Sequence, residues 1–172
     1  MLPPSIIVGD LDSLEEETRE YFTERGTIVE QLFDQDTTDA QKALQAISRE
    51  NKLRNIEPAL LVFGTSGGFL GHQTANLNLL FENPMKNVFF ISEQSISFLL
   101  SPGLNEIISP FQLCVNLVPI SLPTKVSTEG LKWNLKDQLL KFGELVSSSN
   151  LLMKSMCTIY TQSHLLCIFD NR

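Results

Sequence analysis

The strongest constraint on what this chain can fold into is a change of rhythm near Leu100. Before it, short apolar runs alternate with amphipathic helical stretches. After it, short apolar runs continue without helices, broken at close intervals by Pro-Gly, Glu-Gly and Ser/Asn-rich turns. Strand–helix alternation calls for a parallel sheet flanked by helices, because a parallel connection needs a crossover long enough to hold one. Short, regularly spaced strands call instead for a small antiparallel sandwich or barrel. Two lobes are expected, residues 1–100 and 101–172.

The first lobe reads in detail. Residues 5–8 form an apolar strand candidate ending at GDLDS. Ser13 with Glu16 three residues on suggests a capping box for a helix over 14–25 that stops at Gly26. A second strand spans 27–32. A second helix follows, with Asp36 as its N-cap, Asp39 three residues later, and Ala40, Ala43, Leu44 and Ile47 on one face. Residues 59–63 are a continuous apolar strand, GTSGGFLG a tight connection, 72–81 a third helix and 87–92 a buried strand. In the second lobe, Trp133 in GLKWNL reads as a core residue on a strand, and the run Ser147-Ser148-Ser149-Asn150 reads as a turn.

Composition narrows the function. With 172 residues, 42% of them hydrophobic and 19% charged, the chain can bury a core. Thirteen Lys and Arg against 20 Asp and Glu leave a formal charge of −7, which argues against holding nucleic acid or anionic lipid by bulk attraction. Cys114, Cys157 and Cys167 form no C-x-x-C pair, which suits buried thiols in a reducing compartment. No apolar run approaches the roughly 18 residues of a membrane span, and the start MLPPSIIVGD lacks a secretory pattern. A cytoplasmic protein is expected.

Chemistry concentrates in acids at strand ends. Asp10 and Asp12 are two apart at the carboxyl end of the first strand, so extended geometry would send both carboxylates to one side. Asp34, Asp36 and Asp39 follow the second strand, and Thr37 and Thr38 add hydroxyls. Ligands of open α/β sheets bind beyond the carboxyl ends of strands, and paired carboxylates with phosphate oxygens are what Mg²⁺ takes. Capping and solvation account for some of these acids equally well. Lys42 could neutralise a phosphate or pair with Asp39. GTSGGFLG lacks the Lys and Ser/Thr of a Walker loop, although its amides could approach phosphate. His72 and His164 have no partner spacing that suggests a metal site or a triad.

Taken in order, GDLDS, DQDTTD, the glycine-rich turn leading into ANLNLLF, GLKWNL and VSSSN resemble the thiamine pyrophosphokinase family over nearly the whole chain. The resemblance implies a Rossmann-like nucleotide-binding catalytic lobe (1–100) followed by a β-sandwich thiamine-binding lobe (101–172), and a homodimer. It implies transfer of the terminal diphosphate of ATP to thiamine, giving thiamine diphosphate and AMP, with Mg²⁺. On it, Asp10, Asp12 and Asp39 would hold the metal and diphosphate, and Gln35 and Thr38 would lie beside the nucleotide phosphates. Trp133, Ser147, Ser149 and Asn150 would fall near thiamine. The chain departs from the family pattern in two places. The usual A-D-G-G-A segment and its strand are missing ahead of GDLDS, which is expected to truncate the lobe and expose an apolar sheet edge. Phe69 and Gly71 also stand where arginine and aspartate are usual. The alternative these departures raise is a catalytically impaired homologue acting as a thiamine- or nucleotide-binding, regulatory subunit.

Overall fold

The computed structural model describes residues 2–54, 58–82, 87–109 and 113–171, a mixed α/β chain with three helices and several sheets among them. It divides into two compact units, Met1–Glu57 and Pro58–Arg172. The first unit holds β1 (Ile6–Gly9), α1 (Glu16–Thr23), β2 (Ile28–Gln31) and α2 (Asp39–Arg54), with β1 and β2 paired in parallel from Ile6↔Ile28 to Gly9↔Gln31.

Both helix starts differ from the sequence reading. The N-cap of α1 is Glu15, with no side-chain cap bond, so Ser13 and Glu16 form no capping box. Instead the Leu14 amide donates to the Leu11 carbonyl, and this turn delays the helix to Glu16. Its end follows expectation. Gly26, at φ +84°, donates to Thr23, and Thr27 donates back to Phe22, which closes the last turn. At α2 the capping box is Thr38 with Gln41: the Thr38 amide donates to Gln41 Oε1 (2.7 Å) and the Gln41 amide to Thr38 Oγ1 (3.3 Å). Asp36 is therefore not the cap. Its amide, with the Thr37 hydroxyl, is bound by Asp34 one turn earlier.

The second unit contains β3 (Leu60–Phe63), α3 (Leu70–Glu82), β4 (Val88–Ile91), β5 (Ser95–Leu100), β6 (Gly103–Ile108), β7 (Cys114–Val118), β8 (Thr124–Glu129), β9 (Gln138–Leu140), β10 (Ser147–Leu151), β11 (Met156–Thr161) and β12 (Leu165–Asp170). Six strands pair in the order β10-β7-β12-β5-β4-β3, parallel only between β3 and β4, and four pair antiparallel as β6-β11-β8-β9. The parallel pairs expected of the first lobe thus occur in two different sheets, β1-β2 and β3-β4. β5 escapes the sequence reading because it follows β4 after a three-residue turn, held by the Ser92 hydroxyl accepting the Ser95 amide at 2.9 Å. Through β5 the larger sheet runs across residue 100.

The core lies in this unit and draws on both sheets: Val115, Leu117, Leu165 and Cys167 from the larger, Val126 and Ile159 from the smaller. That is the layering of a sandwich. β3 ends the order of the larger sheet, and its Leu61 and Phe63 are 61% and 69% exposed. GLKWNL is not a strand. It forms a loop joined by a single bridge, Leu131↔Leu152, and Trp133 in it is 56% exposed rather than core. Conversely VSSSN is not a turn, since Ser147–Leu151 is strand β10.

Candidate active site

Asp10 and Asp12 follow the end of β1, and Asp39 is brought near it. Leu11, between the two aspartates, has φ +63°, a left-handed conformation that costs a non-glycine residue roughly 1 kcal/mol or more. Extended alternation therefore does not place Asp10 and Asp12; a tight turn does. Asp10 Oδ1 accepts the Asp12 amide at 3.3 Å, and Gln31 Nε2 donates to the Asp10 carbonyl at 2.8 Å. Asp39 arrives from the first turn of α2. A Cβ on Gly9 would stand 3.1 Å from Asp39 Oδ1, close enough that the carboxylate would have to shift by a few tenths of an ångström. Asp39 is thus brought to Gly9 of the GDLDS turn from 30 residues away in sequence.

The ionic surroundings are organised from below. The Lys42 side chain is 3% exposed, with Nζ 3.6 Å from Asp39 Oδ1, while the Asp39 side chain is 73% exposed. The lysine is a buried counter-charge under a solvent-facing carboxylate, so of its two expected roles the structure shows the pairing with Asp39. Asp34 accepts the Thr37 hydroxyl (2.7 Å) and the Asp36 amide (2.9 Å). These bonds, the hydroxyl's first, then the amide's, with a smaller pull from Lys42, hold its carboxyl below the usual range. Gln35 is exposed beside this turn, and Thr38 is exposed with its hydroxyl engaged in the cap. Among the described residues no three His, Cys, Asp or Glu side chains surround a common point. The donors are hard oxygens in open water, which suits Mg²⁺, an ion usually held by one or two carboxylates completed by phosphate and water rather than by an all-protein cage.

In the second unit, a pocket of about 450 Å³ sits at the carboxyl ends of β3 and β4, between Phe63-Gly64, Ser66-Gly67 and Ser92-Glu93-Gln94. The loop takes φ +76° at Gly64, +96° at Gly67 and +69° at Gly68. Asn76 of α3 steadies it by donating to the Thr65 carbonyl at 3.1 Å. Phe69 is 79% exposed and meets His72 edge-on, ring centroids 5.9 Å apart. The residues Ser92-Glu93-Gln94 went unremarked in the sequence, although the strand-end rule that singled out the aspartates applies to β4 equally.

A smaller pocket of about 250 Å³, also in the second unit, is lined by Trp133, Leu135, Leu140, Ser147, Ser148 and Asn150 among others. Asn150 is 2% exposed, and its side chain grips the Trp133 backbone: Oδ1 accepts the amide at 3.1 Å and Nδ2 donates to the carbonyl at 2.7 Å. The indole is thereby presented at the surface, with Lys132 Nζ 4.5 Å from its ring centroid. Three of the four residues singled out in this half of the chain meet in one pocket. Ser149 does not line it; it stands at φ +58° with its amide donated to Asn116 Oδ1 at 2.8 Å.

Comparison with known proteins adds an independent line. The family model "Thiamin pyrophosphokinase, catalytic domain" matches residues 1–90, and "Thiamin pyrophosphokinase, vitamin B1 binding domain" matches 106–166. The chain belongs to the thiamin pyrophosphokinase family. Thiamine pyrophosphokinase 3 of Oryza sativa subsp. japonica is 33% identical over 174 residues, and thiamine pyrophosphokinase 1 of Arabidopsis thaliana is 33% identical over 172. Each match takes in 95% of this chain but 64% of the relative, so the chain spans less than two thirds of their length. Thiamin pyrophosphokinase from Candida albicans superposes with a TM-score of 0.88 at 22% identity, covering 99% of this chain and 74% of that one. Yeast thiamin pyrophosphokinase gives 0.83 at 21%, covering 97% and 69%. These two establish the thiamin pyrophosphokinase fold. No helix among the described residues is long and apolar enough to cross a membrane.

Proposed function

We propose that this member of the family is a thiamine pyrophosphokinase, transferring diphosphate from ATP to the thiamine hydroxyl. The observation that carries the reading is the presence of both family domains, in order, on one chain. In the reaction the thiamine hydroxyl oxygen bonds to the β-phosphorus, the bond from that phosphorus to the oxygen bridging the α-phosphate breaks, and the hydroxyl proton passes to water. Thiamine diphosphate and AMP are the products. Such a transfer asks the protein for positioning and charge neutralisation rather than covalent catalysis.

The division of labour follows the domains. Residues 1–100 act as a Rossmann-like nucleotide lobe. Asp10, Asp12 and Asp39 would supply one or two carboxylates to Mg²⁺, the rest of its shell coming from phosphate and water, with Gln35 and Thr38 beside the phosphates. The ion, when bound, offsets phosphate charge. Support comes from the strained Leu11 turn and from the seat of Asp39 against Gly9, since strain at such a loop is kept where surroundings over-determine it. Residues 101–172 act as the thiamine lobe, with Trp133 as an aromatic wall for the cationic heterocycle, Ser147 and Asn150 beside it, and Ser149 setting the bend of the strand. The buried free thiols Cys114, Cys157 and Cys167 suit a cytoplasmic setting. A homodimer completes the reading, supported by Leu104, Ile108, Met156 and Tyr160, exposed apolar side chains on paired strands β6 and β11.

The test is to incubate the chain with ATP, Mg²⁺ and thiamine and separate the products. Thiamine diphosphate and AMP in equal amounts, lost in Asp12→Asn, are the expected result. Thiamine binding without product would overturn the catalytic reading.

A further inference from the structure

Strand β10 is irregular at one point. Ser147 pairs with Leu117 and Asn150 with Val115, so two residues, Ser148 and Ser149, stand opposite the single residue Asn116 of β7. This is a β-bulge. Ser149 adopts its left-handed conformation there, and its amide, turned out of the ladder, is caught by Asn116 Oδ1 at 2.8 Å. The other end of the Asn116 amide is committed as well. Nδ2 donates to Asp170 Oδ2 at 2.7 Å and to the Ile168 carbonyl at 3.2 Å, both on β12. Since β7 lies between β10 and β12, one side chain spans three strands. With its NH₂ taken by a carboxylate and a carbonyl, only its oxygen can face Ser149.

The bulge decides what lines the small pocket. Strict alternation would send the adjacent Ser147 and Ser148 to opposite faces of the sheet. Here both line the same pocket, together with Asn150, while Ser149 does not. Asn150, the residue after the bulge, then holds the Trp133 backbone at both its amide and its carbonyl.

We infer that Asn116, oriented by Asp170, is a positioning residue of this pocket, setting the β10 bulge and, through Ser149 and Asn150, the stance of Trp133. The inference rests on the reading of the pocket as the thiamine site for its effect on thiamine, and the test separates the two. Trp133 is the chain's single tryptophan, so its indole N–H resonance and its emission report the pocket directly.

The measurements are the indole resonance in the ligand-free chain and thiamine affinity by fluorescence titration, for wild type, Asn116→Ala, Asn116→Ala with Ser149→Gly, Asp170→Asn and Asp170→Ala. In Asn116→Ala the indole resonance should shift and thiamine affinity fall roughly tenfold, the scale of one lost hydrogen bond. Adding Ser149→Gly should restore both, because glycine adopts the left-handed bulge unaided. Asp170→Asn still offers Asn116 an oxygen and should behave as wild type, whereas Asp170→Ala should reproduce Asn116→Ala and stands in for it if that variant does not fold. An unmoved indole with unchanged affinity in Asn116→Ala, or a loss that glycine fails to restore, would overturn the inference. Indole shift and rescue in a wild-type chain that ignores thiamine would overturn the thiamine reading and leave the positioning role supported.

Discussion

Single residues in the acid loop act through their immediate neighbours. Asp34 is held below the ordinary carboxylate range chiefly by the Thr37 hydroxyl, so its ionised form is favoured by folding. A depressed folded pKa contributes stability that is fully present above the unfolded value, about 3.9, and is lost as pH falls through the folded one. Thr37→Val should therefore move the Asp34 titration, followed by carboxyl carbon resonances, up toward that ordinary value. The stability gap between wild type and Thr37→Val should be present at neutral pH and close in acid. Gly9 offers a second test. Its missing side chain gives Asp39 Oδ1 its seat, and an added methyl would meet that oxygen at 3.1 Å. Because the Asp39 side chain is largely exposed, it can swing away without unfolding the chain. Gly9→Ala should keep the wild-type circular dichroism and lower the rate of diphosphate transfer by about tenfold or more, as a misplaced charged group does.

At the scale of elements, legibility in the sequence depended on whether the cause was local. The strands β1 to β4 and three helices could be read because apolar periodicity and Gly26 act within a few residues. The starts of α1 and α2 were harder, since at each a neighbouring arrangement displaces the expected cap. Ser13 with Glu16 loses to the left-handed Leu11 turn, and Asp36 with Asp39 loses to Thr38 with Gln41. Thr38→Ala should accordingly cost about 1 kcal/mol of stability, seen as a lower Tm, whereas Ser13→Ala should leave Tm unchanged. The β10 bulge was illegible for a different reason. Its cause is Asn116, 33 residues from Ser149, and nothing in the run of serines distinguishes a turn from a bent strand. Trp133 and Asn150 could be picked out by motif, but that one grips the other's backbone follows only from the loop meeting β10.

For the whole molecule, the uneven distribution of core has consequences for how the two units respond to ligands. In Met1–Glu57 the buried apolar side chains among the described residues are Leu44 and Ala46, and α1 buries none. In Pro58–Arg172 the core cluster takes side chains from both sheets and includes Val115, Leu117, Leu140, Ile159 and Leu165, all completely buried. Opening free energy tracks this kind of burial, so amide exchange should be slow in β7, β11 and β12 and fast throughout β1, α1 and β2. Yet the weaker unit carries Asp10, Asp12 and Asp39, the acids proposed to take the cation, on a protein of net charge −7. Any ligand that binds only the folded form stabilises that form by mass action. ATP with Mg²⁺ should thus slow exchange in the turns after β1 and β2 far more than in the second unit's core, while thiamine should act on residues 131–151. Hydrogen exchange read by mass spectrometry checks both. If ATP with Mg²⁺ protects only the second unit, the acid loops of the first do not hold the diphosphate, and the assignment of Asp10, Asp12 and Asp39 falls with it.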